Sequence, residues 1–136
     1  MKKLFPIILL AGFLVMVFCQ KPAPPIQGVW KMVHQEWSNA DTLSVTPPSW
    51  FRSPQIKIVT KSHFAFGCQT SKGKLNAGGG TYTLKGNEYV EKIVYHTDTT
   101  ALGKSVAFMI TFKHDTLYQE GNFLGYRLLE KYVRME

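Results

Sequence analysis

Residues 81–96, TYTLKGNEYVEKIVYH, decide the fold, because two runs of β-branched and aromatic residues flank Gly86-Asn87. A two-residue turn with both of these residues at positive φ joins antiparallel strands without splaying them. Lys85 then faces Glu88 across a hairpin. The further predicted pairs are Leu84 with Tyr89, Tyr82 with Glu91, Thr83 with Val90 and Thr81 with Lys92.

The two faces of this hairpin differ in chemistry. The second face is mainly threonine and lysine, whereas the first carries Tyr82, Leu84, Tyr89, Glu91, Ile93 and Tyr95. A one-residue slip would turn every side chain to the opposite face, so a clearly apolar face specifies the register. We assign the aromatic face to the interior, and this places the carboxyl group of Glu91 inside the protein.

A second hairpin is predicted to turn at His114-Asp115. Its predicted pairs are Phe112 with Leu117 and Ile110 with Gln119, with Phe108 further along the same face. This face is also apolar, so it is predicted to form another part of the interior wall.

Two registers are open for the strands that precede these hairpins. A three-residue connection aligns Ile56 and Ile58 with Phe66 and Cys68, whereas a two-residue turn sets Lys57 opposite Phe66. We favour the first register because it buries more apolar surface.

The remaining sequence repeats this pattern of short apolar runs between Gly, Asn and Asp, with no amphipathic helix longer than two turns. The predicted strands are Val29–Glu36, Ile56–Thr60, Phe64–Gln69, Thr81–Lys85, Glu88–His96, Val106–Lys113, Thr116–Glu120 and Tyr126–Met135. We therefore predict an all-β fold, a single antiparallel up-and-down β-barrel of about eight strands.

The N-terminus has the pattern of an export signal. Lys2 and Lys3 precede an apolar stretch of about 15 residues, shorter than the roughly 20 that a spanning helix needs. We predict a signal sequence over 1–19, a Pro-rich tether over 20–25 and one domain over 26–136. The protein is expected in the periplasm or cell envelope, or secreted.

Cys19 leaves three outcomes open for this signal. Val15-Met16-Val17-Phe18-Cys19 is similar to a bacterial lipoprotein box, except that Phe18 stands where a small residue normally precedes the lipid-bearing cysteine. Lipidation of Cys19 would attach the protein to a membrane, as in an outer-membrane lipoprotein. Cleavage after Cys19 would release it, and an uncleaved signal would anchor it.

Composition excludes several classes of partner. The formal net charge of +7 includes Lys2 and Lys3, and the remaining Lys and Arg residues are scattered singly with no run of them, so no nucleic-acid partner is expected. Cys68 is predicted to be a small core residue without a disulfide partner. No cofactor or metal is expected, since no carboxylate or cysteine stands at metal-ligand spacing from His34, His63, His96 or His114.

Further segments carry a family resemblance. Gly28-Val29-Trp30 opens the first predicted strand, and Arg134 lies in the last. Other matching segments are Ile56-Lys57-Ile58, residues 78–84, residues 86–89 and Asp115-Thr116-Leu117-Tyr118. With these, the chain resembles lipocalin-like proteins of the calycin superfamily, in particular small domains of exported bacterial proteins, mostly of unknown function. The resemblance implies that Trp30 closes one end of the barrel with Arg134 against it.

A lipocalin-like barrel implies binding of a small, largely apolar ligand. The predicted lining is Tyr82, Leu84, Tyr89, Glu91, Tyr95, Phe108, Ile110 and Phe112. Trp50 and Phe51, in a long Pro-stiffened connection, are predicted either to plug the core or to form a lid. Glu91 would orient a donor group of the ligand or make an internal hydrogen bond to a tyrosine, Arg127 or Arg134.

Two other functions are weighed against ligand binding. In the first, the barrel is filled and Trp37, Trp50 and Phe51 form a contact patch for an envelope protein. In the second, Glu91 or Glu130 catalyses an isomerisation or hydrolysis in the cavity. No nucleophile elbow or phosphate-binding loop is present, so we expect no enzyme.

Overall fold

The computed structural model describes residues 25–136, which form nine strands and two short 3-10 helices. The strands are β1 Gly28–Ser38, β2 Leu43–Val45, β3 Phe51–Val59, β4 His63–Thr70, β5 Leu75–Lys85, β6 Glu88–His96, β7 Ser105–Lys113, β8 Thr116–Phe123 and β9 Tyr126–Arg134. The 3-10 helices are Pro48–Trp50 and Thr99–Ala101. The predicted signal sequence, Cys19 and the tether up to residue 24 lie outside the described residues.

The sheet closes on itself. From β3 to β9 each strand pairs antiparallel with the next in the chain, and β1 pairs with both β3 and β9. The predicted all-β barrel of eight strands is confirmed. A ninth strand that the sequence did not predict, β2, pairs only with Glu36–Ser38 at the end of β1.

The tight turns set the registers as predicted. Every predicted pair of the 81–92 hairpin is present, from Lys85 opposite Glu88 to Thr81 opposite Lys92. The His114-Asp115 hairpin likewise pairs Phe112 with Leu117 and Ile110 with Gln119. One detail of the first turn was wrong: Gly86 has a φ of 57°, but Asn87 does not have a positive φ. A turn of type II′ needs positive φ only at its first central residue.

A bulge in β5 and β6 overturns the prediction for Tyr95. Gly79 pairs with Tyr95 but Gly80 pairs with Ile93, so Val94 is an extra residue on β6. An extra residue inverts the alternation of side chains beyond it. Tyr95 is therefore on the outer face and 73% exposed, while His96 faces inward.

The favoured register of β3 and β4 was wrong. Lys57 is opposite Phe66 and Ile58 opposite Ala65, so the two-residue turn is the one that forms. Ile58 is consequently 48% exposed, whereas the side chain of Lys57 is buried inside the barrel. The apolar-area argument failed because it omitted the buried carboxylate of Glu91, which bonds to Lys57.

A bulge in β1 also changes which of its side chains face inward in the second half of the strand. The pairing with β9 shifts between Met32 and His34, and Val33 is exposed. Beyond this point the inward residues are Gln35 and Trp37, which line the interior cavity.

One end of the barrel is filled. Trp30 is buried there, its indole N–H donates to the carbonyl oxygen of Ile26 at 2.8 Å, and its ring packs 6.0 Å from that of Phe112. The guanidinium carbon of Arg134 lies 4.2 Å from the centroid of the Trp30 ring. Arg134 also donates to the carbonyl oxygens of Gln27 and Pro25. A cation on an indole face closes this end without burying an unpaired charge.

No helix among residues 25–136 is both long enough and apolar enough to cross a membrane.

Candidate functional site

The other half of the barrel encloses a cavity of about 220 Å³. Its mouth is formed by the end of β1, the end of β6 and the β8–β9 turn, with Trp37, His96, Asp98, Phe123, Leu124 and Leu128. Its floor, halfway along the barrel, is polar and consists of Gln35, Gln55, Lys57, Glu91, Gln119, Glu130 and Tyr132. The filled end and the hollow end therefore meet at a layer of polar side chains.

An ion pair lies at the centre of this polar floor. The Nζ of Lys57 donates to Oε1 of Glu91 at 2.5 Å and to Oε1 of Gln119 at 2.8 Å. Both charged side chains are buried. A charge in such a place is tolerated only when it is paired and hydrogen-bonded.

Three aromatic rings surround the ammonium group of Lys57. Its Nζ lies 5.5 Å from the ring centroid of Phe64, 5.2 Å from that of Tyr89 and 5.6 Å from that of Tyr132. These distances are within the range of cation–π attraction. The ammonium group of Lys57 is thus enclosed by two hydrogen-bond acceptors and three aromatic rings of the protein.

Glu130 is the second buried carboxylate of the floor, and it is held by neutral donors. Its Oε1 accepts from Nε2 of Gln35 at 3.0 Å, and its Oε2 accepts from the hydroxyl of Tyr132 at 2.8 Å. Nε2 of Gln119 approaches Oε2 at 3.5 Å. Burial raises the pKa of Glu130, although the charge of Lys57 partly opposes this rise.

Further side chains fix these donors in place. Gln55 donates to the Tyr132 hydroxyl at 2.9 Å, and Thr46 donates to Oε1 of Gln35 at 2.8 Å. Burial, together with the adjacent Glu130, raises the pKa of Tyr132. Tyr132 is therefore a neutral donor to Glu130.

The hydroxyl of Tyr89 is a buried polar atom with no hydrogen-bond partner among residues 25–136. Burial, and then the negative charge of Glu91, raise the pKa of Tyr89. The phenol is therefore neutral, and its oxygen lies near the polar floor without a hydrogen bond of normal geometry.

Comparison with solved structures adds to this geometry. A lipocalin-like protein from Bacteroides uniformis matches with a TM-score of 0.52 at 17% identity, over 80% of this chain and 97% of that one. The fold of this chain is lipocalin-like. This likeness bears out, at the level of the fold, the resemblance seen in the sequence.

Two further structures are similar to the lipocalin-like barrel. An uncharacterized protein from Bacteroides eggerthii has a TM-score of 0.48 at 15% identity, over 77% of this chain and 97% of that one. A designed fluorescence-activating β-barrel has a TM-score of 0.47 at 14% identity, over 80% and 93%. No family model matches the chain, and no curated protein matches it.

The lipocalin-like barrel brings only two of the predicted lining residues, Glu91 and Phe108, to the cavity. Tyr89 and Ile110 are buried in the filled half, and Phe112 packs on Trp30. Tyr82 donates its hydroxyl to the carbonyl oxygen of Thr60 at 2.6 Å, and Leu84 is 39% exposed. The assignment of these residues and Tyr95 to a ligand wall is corrected, because it took the whole inner face for a cavity.

Trp50 and Phe51 do not cover the mouth of the lipocalin-like barrel. Phe51 begins β3, pairs with Thr70 and is half-buried in a cleft of about 290 Å³ between β1 and β3, together with Pro48. Trp50 is 40% exposed and packs edge-on against Phe51. The predicted lid is therefore corrected to a side plug, because the connection folds back along β1 as β2 and not over the opening.

Several floor residues were missed or misassigned from the sequence. Lys57 was placed outside, and the expected partners of Glu91, Arg127 and Arg134, are not its partners; Arg127 instead binds Glu120 and Glu36 on the outer surface. The spacing of Gln55, Lys57 and Val59, three alternate residues of β3, was the available signal. A buried Glu91 needs a cation, and Lys57 is the cation on a facing strand.

Other concave or reactive features are weaker candidates. A groove of about 780 Å³ on the outer face of β4, β5 and β6 is lined by Ala65, Gly79, Val94, Tyr95 and Leu102, but it is broad and open to solvent. Among residues 25–136, no three His, Cys, Asp or Glu side chains stand close enough together to hold a metal ion. Cys68 is buried, and burial raises its pKa, which makes a thiolate unfavourable.

Proposed function

We propose that the protein is an exported binding protein that holds a small, largely apolar molecule in the open half of the barrel. The observation that carries this proposal is the interior cavity of about 220 Å³, which is apolar at its mouth and polar at its floor. A cavity of about 150 Å³ holds benzene, so this one has room for one ring with a short side chain. Aromatic walls with a few convergent polar groups are typical of ligand sites.

Binding without catalysis is the role that the floor supports. Glu91 is bonded to Lys57, and Glu130 accepts hydrogen bonds from Gln35 and Tyr132. Carboxyl groups held in this way present their oxygens to a ligand in a fixed orientation.

Native mass spectrometry of the protein purified from its host tests the proposal. We expect a retained molecule on the wild type and none on Leu128→Trp, because Leu128 is buried and lines the cavity. Leu129→Trp is the matched control, since Leu129 is next in β9, does not line the cavity and should retain the molecule. Equal retention by both variants, or no retained molecule in the wild type, would overturn the proposal.

Export and lipid attachment are proposed from the N-terminal sequence alone. Metabolic labelling with a palmitate analogue, compared between the wild type and Cys19→Ala, separates the outcomes. Label that depends on Cys19 supports membrane attachment. Absence of label, with the protein outside the cytoplasm, supports ordinary signal cleavage.

A contact module is the second candidate, and exposed apolar residues favour it. Trp50 is partly exposed, and Leu43 and Val45 of β2, in the same connection between β1 and β3, are also exposed. In this case an unfilled barrel would be incidental. Crosslinking in cells through a photoreactive residue at position 50 would give a discrete protein adduct, whereas the binding proposal predicts none that depends on Trp50.

A further inference from the structure

The charge of the cavity is opposite in sign to that of the chain. The chain has a formal net charge of +7. Of the described residues that line the cavity, however, three are carboxylates, Glu91, Glu130 and Asp98, and Lys57 is the only lysine or arginine. A basic protein therefore has a cavity whose charged lining residues are mainly acidic, two of them buried and Asp98 at the exposed rim.

Glu130 is the buried carboxyl group of the floor that lacks a cationic hydrogen-bond partner, and an ammonium group beside it would favour its charged form. Lys57 lies in hydrogen-bond contact with Glu91, and no cationic group among residues 25–136 makes a hydrogen bond or ion pair with Glu130. Glu130 is only 6% exposed, so water can screen it little. Three neutral donors satisfy its oxygens, and the charge of Lys57 offsets only part of the cost of ionising this buried group.

The same arrangement makes an anionic ligand unfavourable. Lys57 already donates to Glu91 and Gln119 and lies among three rings, so its charge is largely balanced by Glu91. A carboxylate or phosphate placed on this floor would face two acids and one neutralised ammonium. Repulsion and lost hydration would both oppose its binding.

The mouth suits the other part of a cationic molecule. The ring centroids of Trp37 and Phe123 are 6.1 Å apart at an interplanar angle of 41°, and those of His96 and Phe123 are 6.3 Å apart, so the three rings form one packed cluster at the mouth. These rings offer apolar surface and π faces. Asp98, at the rim, adds a negative charge at the entrance.

We propose that the ligand is a small organic cation, an aromatic or otherwise apolar amine, whose ammonium group donates to Glu130 on the floor while its body packs against Trp37 and Phe123 at the mouth. This inference rests on the proposed function and names the chemical class of the ligand. The ammonium supplies the charge that the floor lacks, and it donates to a carboxyl oxygen among buried side chains, where a charge-assisted hydrogen bond is strong.

Three probes of nearly equal size test the charge of the ligand: phenethylamine, 2-phenylethanol and 3-phenylpropanoate. The readout is the indole N–H signals of the three tryptophans in ¹H–¹⁵N spectra of the purified protein. Trp37 lines the cavity, whereas Trp30 is in the filled end and Trp50 is on the outer side, so these two are internal controls. We expect Trp37 alone to shift, with phenethylamine binding about tenfold or more tighter than 2-phenylethanol and 3-phenylpropanoate weakest.

Two variants locate the selectivity. Glu130→Gln keeps the shape of the side chain. In this variant phenethylamine and 2-phenylethanol should bind with about equal affinity, and the alcohol should bind as it does to the wild type. Glu120→Gln is the matched control, because Glu120 is exposed on the adjacent strand β8 and binds Arg127; its preference should be unchanged.

The possible failures are distinguishable. If the alcohol or the acid binds as tightly as the amine at Trp37, the charge inference is overturned and the cavity remains a binding site. If Glu130→Gln keeps the full preference for the amine, the assignment to Glu130 is overturned. If none of the three probes shifts Trp37 at millimolar concentration, both this inference and the proposed function are overturned.

Discussion

Lys57 is the residue that makes a polar layer in the middle of the barrel tolerable. Its ammonium group pairs with Glu91, donates a hydrogen bond to Gln119 and lies against the rings of Phe64, Tyr89 and Tyr132. The energetic value of such a buried pair lies less in its attraction than in the cost of leaving one partner alone.

Lys57→Met is therefore expected to lower the free energy of unfolding by about 3 to 5 kcal/mol, because Glu91 becomes a buried charge without a cation. Urea denaturation measures this loss. The double variant Lys57→Met with Glu91→Gln should lose much less, since neither charge remains. Equal losses in the single and double variants would show that the ion pair does not matter and that Lys57 acts through packing alone.

Glu130 gives the stability a pH dependence of opposite sign to that of an ordinary salt-bridged acid. Its pKa is raised above the usual 4.5 by burial, so the folded state binds this proton more tightly than the unfolded state does. The stability that Glu130 contributes is then present below about pH 4.5 and is lost as the pH rises through the raised pKa. Lys57 and Glu91 face the carboxyl from β3 and β6, and the remaining hydrogen-bonding neighbours are neutral.

Urea midpoints of the wild type and Glu130→Gln, measured across a pH series, test this. The wild type should lose stability relative to the variant as the pH rises above about 4.5, and the difference should level off above the raised pKa. Glu120→Gln should show no such trend. If the stability of the wild type instead rises relative to that of Glu130→Gln as the pH increases, the folded protein stabilises Glu130 in its charged form.

The bulge that joins β5 and β6 determines which side chains of β6 face the cavity. Gly80 allows the close approach: a Cβ at this position would collide with the carbonyl oxygen of Lys92. Past the bulge, His96 faces inward and Tyr95 outward. Which side chains line the mouth of the cavity therefore depends on the bulge at Gly80 and Val94.

Gly80→Ala is expected to cost about 1 to 3 kcal/mol, because the backbone of β6 must move to accept the methyl group. Thermal unfolding measures this change. Gly67→Ala, in the adjacent strand β4, is the control, since its Cβ would meet only the Cβ of Ala77 at 3.8 Å; it should change stability by less than about 0.5 kcal/mol. Similar effects of the two substitutions would argue against a close approach at Gly80.

The elements that the sequence predicted well are those joined by tight turns. In the hairpins at Gly86-Asn87 and His114-Asp115 the two-residue turn fixes the register, because each pair follows by counting outward from the turn. The predicted pairs were therefore correct. Alternation fails where a bulge adds a residue, as at Val94 and Val33, because no residue type uniquely marks a bulge. Burial of Lys57 was also missed, since its reason lies on another strand, in Glu91.

At the scale of the whole molecule, the barrel has two structurally different halves. The half around Trp30 and Tyr89 is packed and closed by Arg134, and the half around Trp37 and Phe123 is hollow. Resemblance to lipocalin-like proteins was enough to predict the barrel and its closed end. It could not predict how much of the barrel interior is packed with side chains. That depends on side-chain volumes and on which residues of each strand face inward.

Arg134→Met should therefore affect stability and leave binding unchanged. It removes the cation from the face of Trp30 and the hydrogen bond to the carbonyl oxygen of Gln27, at a cost of about 1 to 2 kcal/mol in urea denaturation. Below its unfolding midpoint the variant should shift Trp37 with phenethylamine as the wild type does. Lost binding in a folded Arg134→Met would contradict the separation of the two halves.

The most direct test of the central claim is a crystal structure of the protein purified from its host with its retained molecule. We predict electron density for that molecule inside the barrel, in contact with Trp37 and Phe123, with a polar atom within hydrogen-bond distance of Glu130. Density confined to the outer groove beside Tyr95, or a cavity closed by Trp37 with nothing bound, would contradict the account.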